Sequence, residues 1–450
     1  MRPLRALPSD LPQARGEARL PRGFRVAGTA AGIKASGEPD LAVVVVEGAP
    51  ASVAATFTTN RLPAAAVRMD REHLVATDPD GDGRHGWTAA MMASSGCANA
   101  ATGEAGLTDQ RDLAAAVAEA VGIDAHQVLA MSTGLIGTRL PVDRVTAALR
   151  MIVAGGLRDD DAGFADVAEA LRTTDSRPKA ASVSLELPGP DGTPVTVTVG
   201  GVAKGVGMIH PGMATMLCFM LTDARVEPSL LHELLRPIVA RTWDQISVDG
   251  DQSTNDTVLL AASGASEASL ERGTGSAATF AAALEAVARS LARQQAADGE
   301  GATTLITCAV SGARDDADAR AVAREVIASS LVKAAVHGAD PNWGRVAAAI
   351  GNALVAPAEI LEAAGLDAGQ ARDRSGQPVE LEPDRLRIDL QGVPVFAGIP
   401  VPYDDATLSA GMRDGEVIVR VDLGLGAGSG EAFGCDLTED YVIENSEYST

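Results

Sequence analysis

Ala203-Lys-Gly-Val-Gly-Met-Ile-His-Pro-Gly-Met-Ala-Thr-Met-Leu-Cys-Phe-Met-Leu-Thr-Asp-Ala224 changes character halfway along. Its first half is punctuated by glycine and carries one lysine, Lys204; after Thr215 it turns apolar at once. A hydroxyl therefore stands where a flexible loop meets a strand that reads as buried, with the small Ala214 before it. A self-cleaving nucleophile needs this arrangement. The hydroxyl must fold back on the preceding carbonyl, and the loop must tolerate a strained peptide until the bond is cut. The freed α-amine can then serve as the base for the same hydroxyl. A plain buried threonine at the start of a strand fits the local pattern too, so the rest of the chain has to decide.

The chain is 450 residues long, enough for a large core with a second unit beside it. A formal net charge of −23 argues against a nucleic-acid-binding surface and against an anionic membrane partner. An anionic ligand would have to meet a locally positive site. Cys97, Cys218, Cys308 and Cys435 are too scattered for a metal or redox pair, which favours reduced thiols and a cytoplasmic setting. Met1 to Leu20 mixes Arg, Pro, Asp and Glu without an apolar run of signal length and reads as a frayed leader. No stretch reaches the length of a membrane span. Lysine occurs only at Lys34, Lys179, Lys204 and Lys333, while arginine supplies every other strong cation. A compact ammonium, as opposed to a planar guanidinium, is the chemistry those places would need.

Asp40-Leu-Ala-Val-Val-Val-Val46 reads as a buried strand. A second strand pair is expected between Ala51 and Val67. Asp78-Pro-Asp-Gly-Asp-Gly83 imitates the start of a calcium loop, but Ala89 stands where the bidentate acid belongs, so a polar hairpin tip is expected. Ser94 to Ala100 reads as a small-residue loop, followed by a helix from about Thr108-Asp109. A short strand from Val128 should end in a tight turn at Thr133-Gly134. Helical periodicity marks 142–153, 163–171, 229–243, 277–295 and 315–330. Pro188 to Pro194 reads as the tip of a hairpin, 247–257 as a dense polar loop, and Gly424 to Gly430 as a flexible turn. Trp243 and Trp343 read as packing residues, and Asp340 and Asn342 as turn formers.

Nine segments in order, including Val44–Asn60, Ser132–Gly137, Thr173–Lys179, Lys204–Ala224, Asp249–Ala262, Asp298–Ala302 and Gly434–Thr450, resemble the ornithine acetyltransferase (ArgJ) family. These are glutamate N-acetyltransferases of the cyclic arginine pathway. The resemblance runs from about Gly23 to Thr450. It implies an α/β fold, a layered αββα sandwich with a smaller C-terminal α/β domain, divided at about 1–302 and 303–450.

By that resemblance Thr215 is the nucleophile, freed by autolysis of the Ala214–Thr215 bond into an α chain of 1–214 and a β chain of 215–450. Thr133 and Gly134 match an oxyanion hole. Thr173, Thr174, Lys204, Thr215, Glu300, Asn445 and Thr450 match substrate-binding positions. The residue types suit an amino-acid substrate, with Lys204 and threonine hydroxyls for its α-carboxylate and Glu300 for its distal ammonium. The implied reaction is ping-pong transfer of acetyl from N2-acetylornithine to glutamate, with no metal and no cofactor. Acetyl-CoA stays open as a co-substrate, and the implied assembly is a heterotetramer of two α and two β chains.

A self-processing N-terminal-nucleophile aminopeptidase or amidase, and an amino-acid-binding relic that never cleaves, remain alternatives. A secondary-metabolism paralogue on a related substrate is a third. The chain departs from the family pattern at Cys97, Gly212, Thr304 and Ile443-Glu444. His210 lies near the nucleophile, but a threonine with its own α-amine does not require it.

Overall fold

The structure, a computed structural model, describes residues 10–210 and 216–447. Thr215, Ala214, Gly212 and Thr450 lie outside the described residues. Two sheets stack face to face. One has six strands, in the order His85–Thr88, Ala51–Phe57, Thr257–Ala262, Leu217–Thr222, Pro194–Lys204, Lys179–Pro188. The other has four: Phe24–Thr29, Leu41–Val46, Ala90–Cys97, Val128–Leu135. Both are mostly antiparallel. The exceptions are the parallel pairs 257–262 with 217–222 and 90–97 with 128–135.

Period-two alternation explains why the central strands read as continuous apolar runs. Leu217, Phe219 and Leu221 point into the core between the sheets; Cys218 and Met220 point the other way, under the helices Pro228–Arg241 and Gly275–Ala297. Likewise Val44 and Val46 face the inter-sheet core, while Val43 and Val45 face the helices Ala65–Thr77 and Gly103–Val121. With both faces covered, neither set can be polar. Each fully buried side chain of this kind stabilises by roughly 1.5–3 kcal/mol relative to exposure. The result is the αββα sandwich. A third sheet has the order Ile246–Ser247, Gly428–Cys435, Leu305–Ala313, Glu416–Asp422, Arg387–Leu390, Val393–Ala397, and its own core lies against the helix Asp316–Ala328. Trp243 is wholly buried, and its indole N–H donates to Gln295 Oε1 at 2.8 Å. Trp343 stacks on Phe396.

Several local expectations fail. The second half of 51–67 is not a strand: after Ala51–Phe57 the chain loops and enters the helix Ala65–Thr77. The helical period is disguised because Asp70 and His73 occupy its buried face. There they satisfy the neighbouring strand, Asp70 accepting the Ala130 N–H at 2.8 Å and His73 Nδ1 meeting the Val128 carbonyl at 2.7 Å. Residues 78–83 form no hairpin tip but a turn of 3₁₀ helix, Pro79–Gly81, joining that helix to the edge strand. Ser94 to Cys97 belongs to a strand, Ala90–Cys97, whose small side chains let the helix Asp161–Leu171 approach; Ser95 Oγ donates to the Ala170 carbonyl at 2.7 Å. The next helix starts at Gly103, before the expected point, because Asn99 holds its first turn by donating to the Gly106 carbonyl. Gly428 to Gly430 begins a strand and is not part of a turn.

Candidate active site

Thr133-Gly134 does not end its strand. Val128–Leu135 runs on through it, paired with Ala90–Cys97 in a register that shifts at Cys97, which opposes both Thr133 and Leu135. Gly134 has φ 126°, and a Cβ there would stand 2.3 Å from the Gly96 carbonyl carbon. Only glycine allows this close, bulged crossing. It leaves Thr133, Gly134, Leu135 and Ile136 on the wall of a cavity of about 280 Å³.

Lys204 ends the Pro194–Lys204 strand and enters the same cavity. It is 3% exposed, and its Nζ donates to Thr133 Oγ1 at 3.2 Å. Burial pushes its pKa down, and the Asp175 carboxylate opposes that shift. Behind it lies a closed ionic cluster. Lys179 Nζ donates to Asp175 Oδ1 and to Asp298 Oδ2, each at 2.6 Å, and Asp175 Oδ1 also accepts the Gly205 N–H at 2.9 Å. Burial alone would raise the Asp175 carboxyl, but the Lys179 and Lys204 ammoniums outweigh it and hold it at about 2. The cluster ties together the three segments that carry Thr173-Thr174, Lys204 and Glu300.

Glu300 sits at the opposite wall with both oxygens engaged by neutral donors. Thr174 Oγ1 donates to Oε1 at 2.6 Å, and Asn445 Nδ2 donates to Oε2 at 2.9 Å. Gly207 faces it so closely that a Cβ would come within 2.2 Å of Oε2. Asn445 arrives on the C-terminal helix Glu439–Glu447, so the tail does return to the cavity. Glu444, one residue earlier, has its pKa raised by burial and then by the nearby Glu300.

Thr133, Gly134, Thr173, Thr174, Lys204, Glu300 and Asn445 thus line one cavity. Sequence reasoning missed Ser253, Thr254 and Asn255, which also line it. Asn255 Nδ2 donates to the Ala98 carbonyl at 2.7 Å and the Ser132 carbonyl at 2.8 Å, fixing the start of the bulge. The dense polar loop 247–257 was the available signal. Asp256, beside it, accepts the Met216 N–H at 3.0 Å and so anchors the residue that follows Thr215. His210 is not on the wall; its Nδ1 meets Ser247 Oγ at 3.2 Å. Cys97 is buried, its thiol donating to the Thr138 carbonyl at 3.3 Å. Among the described residues, no cluster of His, Cys, Asp and Glu is suited to a metal ion, and no helix is long and apolar enough to cross a membrane.

A buried ammonium bonded to a hydroxyl and a carboxylate bonded to a hydroxyl and an amide thus line one cavity sized for a small molecule. The chain belongs to the ArgJ family, whose family model matches residues 25–450, and by that membership it is an enzyme, an acyltransferase. It is 42% identical over 432 residues to the arginine biosynthesis bifunctional protein ArgJ of Deinococcus radiodurans, covering 96% of this chain and 98% of that protein. The protein of the same name from Thermus thermophilus is 43% identical, over 96% of this chain and 99% of its own length. Among solved structures, an ornithine acetyltransferase of Mycobacterium tuberculosis complexed with ornithine is 37% identical over 46% of this chain and 100% of its own, with a TM-score of 0.37.

Proposed function

We propose that this chain transfers the acetyl group of N2-acetylornithine to glutamate through an acetyl ester on Thr215, after cleaving itself before that residue. The observation that carries the reading is the convergence of seven family-matched residues, from distant parts of the sequence, on one cavity of about 280 Å³. Autolysis begins with attack of Thr215 Oγ on the Ala214 carbonyl carbon. The C–N bond breaks as the acyl group moves to oxygen, which frees the Thr215 amine, and water then hydrolyses the ester to the Ala214 carboxylate and the Thr215 hydroxyl.

In turnover the same oxygen attacks the acetyl carbonyl. Its proton passes by way of the Thr215 α-amine to the departing amine of ornithine, and glutamate's amine then takes the acetyl group from the ester. Thr133 Oγ1 and the Gly134 N–H stabilise the oxyanion; one such donor typically contributes about 3 kcal/mol. Lys204 helps by donating to Thr133 Oγ1, since an oxygen that accepts there must turn its own hydrogen elsewhere, toward the substrate. The two remaining Lys204 protons suit an α-carboxylate. Glu300, bonded among the described residues by neutral donors, suits the distal ammonium of ornithine.

The reading takes 1–302 as the catalytic unit and 303–450 as a C-terminal unit. It assembles two chains of 1–214 with two of 215–450 in the cytoplasm, without metal or cofactor. Intact-mass measurement of purified protein tests it. Two fragments are expected, the second beginning at Thr215, with one uncut and inactive chain for Thr215→Ala. Full transfer activity without a polypeptide starting at Thr215 would refute it. The same assay, run with acetyl-CoA as donor and with peptide substrates, distinguishes a second acetyl donor from an aminopeptidase.

A further inference from the structure

A second cavity, of about 780 Å³, lies where the Pro228–Arg241 helix meets helices of the C-terminal unit; among the described residues it shares no wall residue with the first. Arginines and aspartates dominate its wall, and most are engaged with one another. Arg241 pairs with Glu285 at 2.6 Å, Arg314 with Asp318 at 3.1 Å, and Arg374 with both Asp315 and Asp318. Asp315 also caps the Asp316–Ala328 helix through the Ala317 and Asp318 N–H groups, and Asp316 accepts the Ser429 N–H at 2.9 Å.

Arg320 stands apart. It lines the cavity yet is only 8% exposed, and among the described residues it has no hydrogen-bond or ion-pair partner. Its stem is fixed against the strand Gly428–Cys435, where a Cβ on Gly430 would stand 2.9 Å from Arg320 Cγ. Its guanidinium N–H donors, held at the cavity wall with no acceptor among the described residues, are open to a ligand that can accept from them. Burial accordingly lowers the Arg320 pKa, and Asp316, acting through space, offsets this.

We propose that this crevice binds a small oxyanion, a phosphate or carboxylate group, with the Arg320 guanidinium as its main contact. The planar fork of arginine matches two oxygens of such a group, and in a protein of net charge −23 an unpaired buried cation is an uncommon resource for one. Because Arg241 comes from a helix on the first sandwich and Arg320 from the C-terminal core, an occupant would bridge the two.

Titration calorimetry of the full chain with inorganic phosphate and with acetate, at ionic strength matched by chloride, tests the proposal. Binding of at least one is expected, and the arm that responds identifies phosphate or carboxylate as the natural group. Arg320→Gln should weaken it by about tenfold or more, with an unfolding midpoint, measured without anion, no lower than that of the wild type. If Arg320→Gln fails to fold, Arg320→Lys carries the test: it keeps the charge, loses the fork, and must bind more weakly. No binding of either anion above chloride overturns the proposal. So does binding unchanged in the Arg320 variant but lost in Lys204→Gln, which would place the anion in the first cavity. Neither outcome depends on whether the chain cleaves or transfers acetyl groups.

Discussion

The two walls of the first cavity hold charge in opposite ways. Behind Lys204, the ammonium of Lys179 is matched to Asp175 and Asp298 in a cluster closed to water, with Lys179 itself 0% exposed. Across the cavity, Glu300 is bonded by a hydroxyl and an amide, and no cation among the described residues pairs with it. The first arrangement is complete without ligand and serves to hold segments in place. The second is oriented yet, among the described residues, uncompensated, which is the state the proposed function asks of a carboxylate that meets a cationic substrate.

The strongest way to break this contrast is to unbalance the closed cluster. Lys179→Met leaves two buried carboxylates uncompensated and should cost about 3–5 kcal/mol, seen as a lower midpoint in thermal unfolding. A variant as stable as the wild type would show that the cluster does not clamp the three segments. Acid offers a gentler probe. Asp175 ionises at about 2 in the folded chain against an ordinary 3.8, so its stabilisation is present above the ordinary value and is lost as pH falls through about 2. The stability gap between wild type and Asp175→Asn should therefore narrow by about 2 kcal/mol between about pH 4 and pH 2. A gap that stays constant would contradict the assignment.

The smallest effect on stability belongs to the open wall. In Glu300→Gln the new amide can donate to Thr174 once that hydroxyl turns to accept, while its carbonyl still takes the Asn445 N–H, so stability should change by less than about 1 kcal/mol. On the proposed function, KM for acetylornithine should nevertheless rise roughly tenfold, with kcat much less affected. A fall in kcat alone would move Glu300 from binding to chemistry.

Much of the sandwich was legible because its strands are buried on both faces. The runs 41–46 and 217–222 can be little but apolar, and they sit where they were expected. The helix Ala65–Thr77 was illegible for the converse reason, since its buried face carries Asp70 and His73 to satisfy a strand far away in sequence. Thr133-Gly134 looked like a turn because glycine after threonine usually breaks a strand; here the glycine lets two strands cross too closely for a Cβ. The scarcity of lysine proved informative. Lys179, Lys204 and Lys333 are all buried, the last donating to the Ser247 and Cys435 carbonyls at 3.1 and 2.8 Å.

The sequence by itself determined the buried strands, because apolar runs are written in neighbouring positions, and the family, because its motifs are; the layered architecture and the residue types that meet in the cavity followed from that resemblance. Only the tertiary structure decided which polar groups are already paired and which are left for a ligand. That Asp175 is closed off by Lys179, that Asn255 braces Ser132, and that among the described residues Glu300 and Arg320 have no opposite charge within bonding distance depends on how the folded chain brings its segments together. Such pairing is a property of distances in space, which no local pattern encodes.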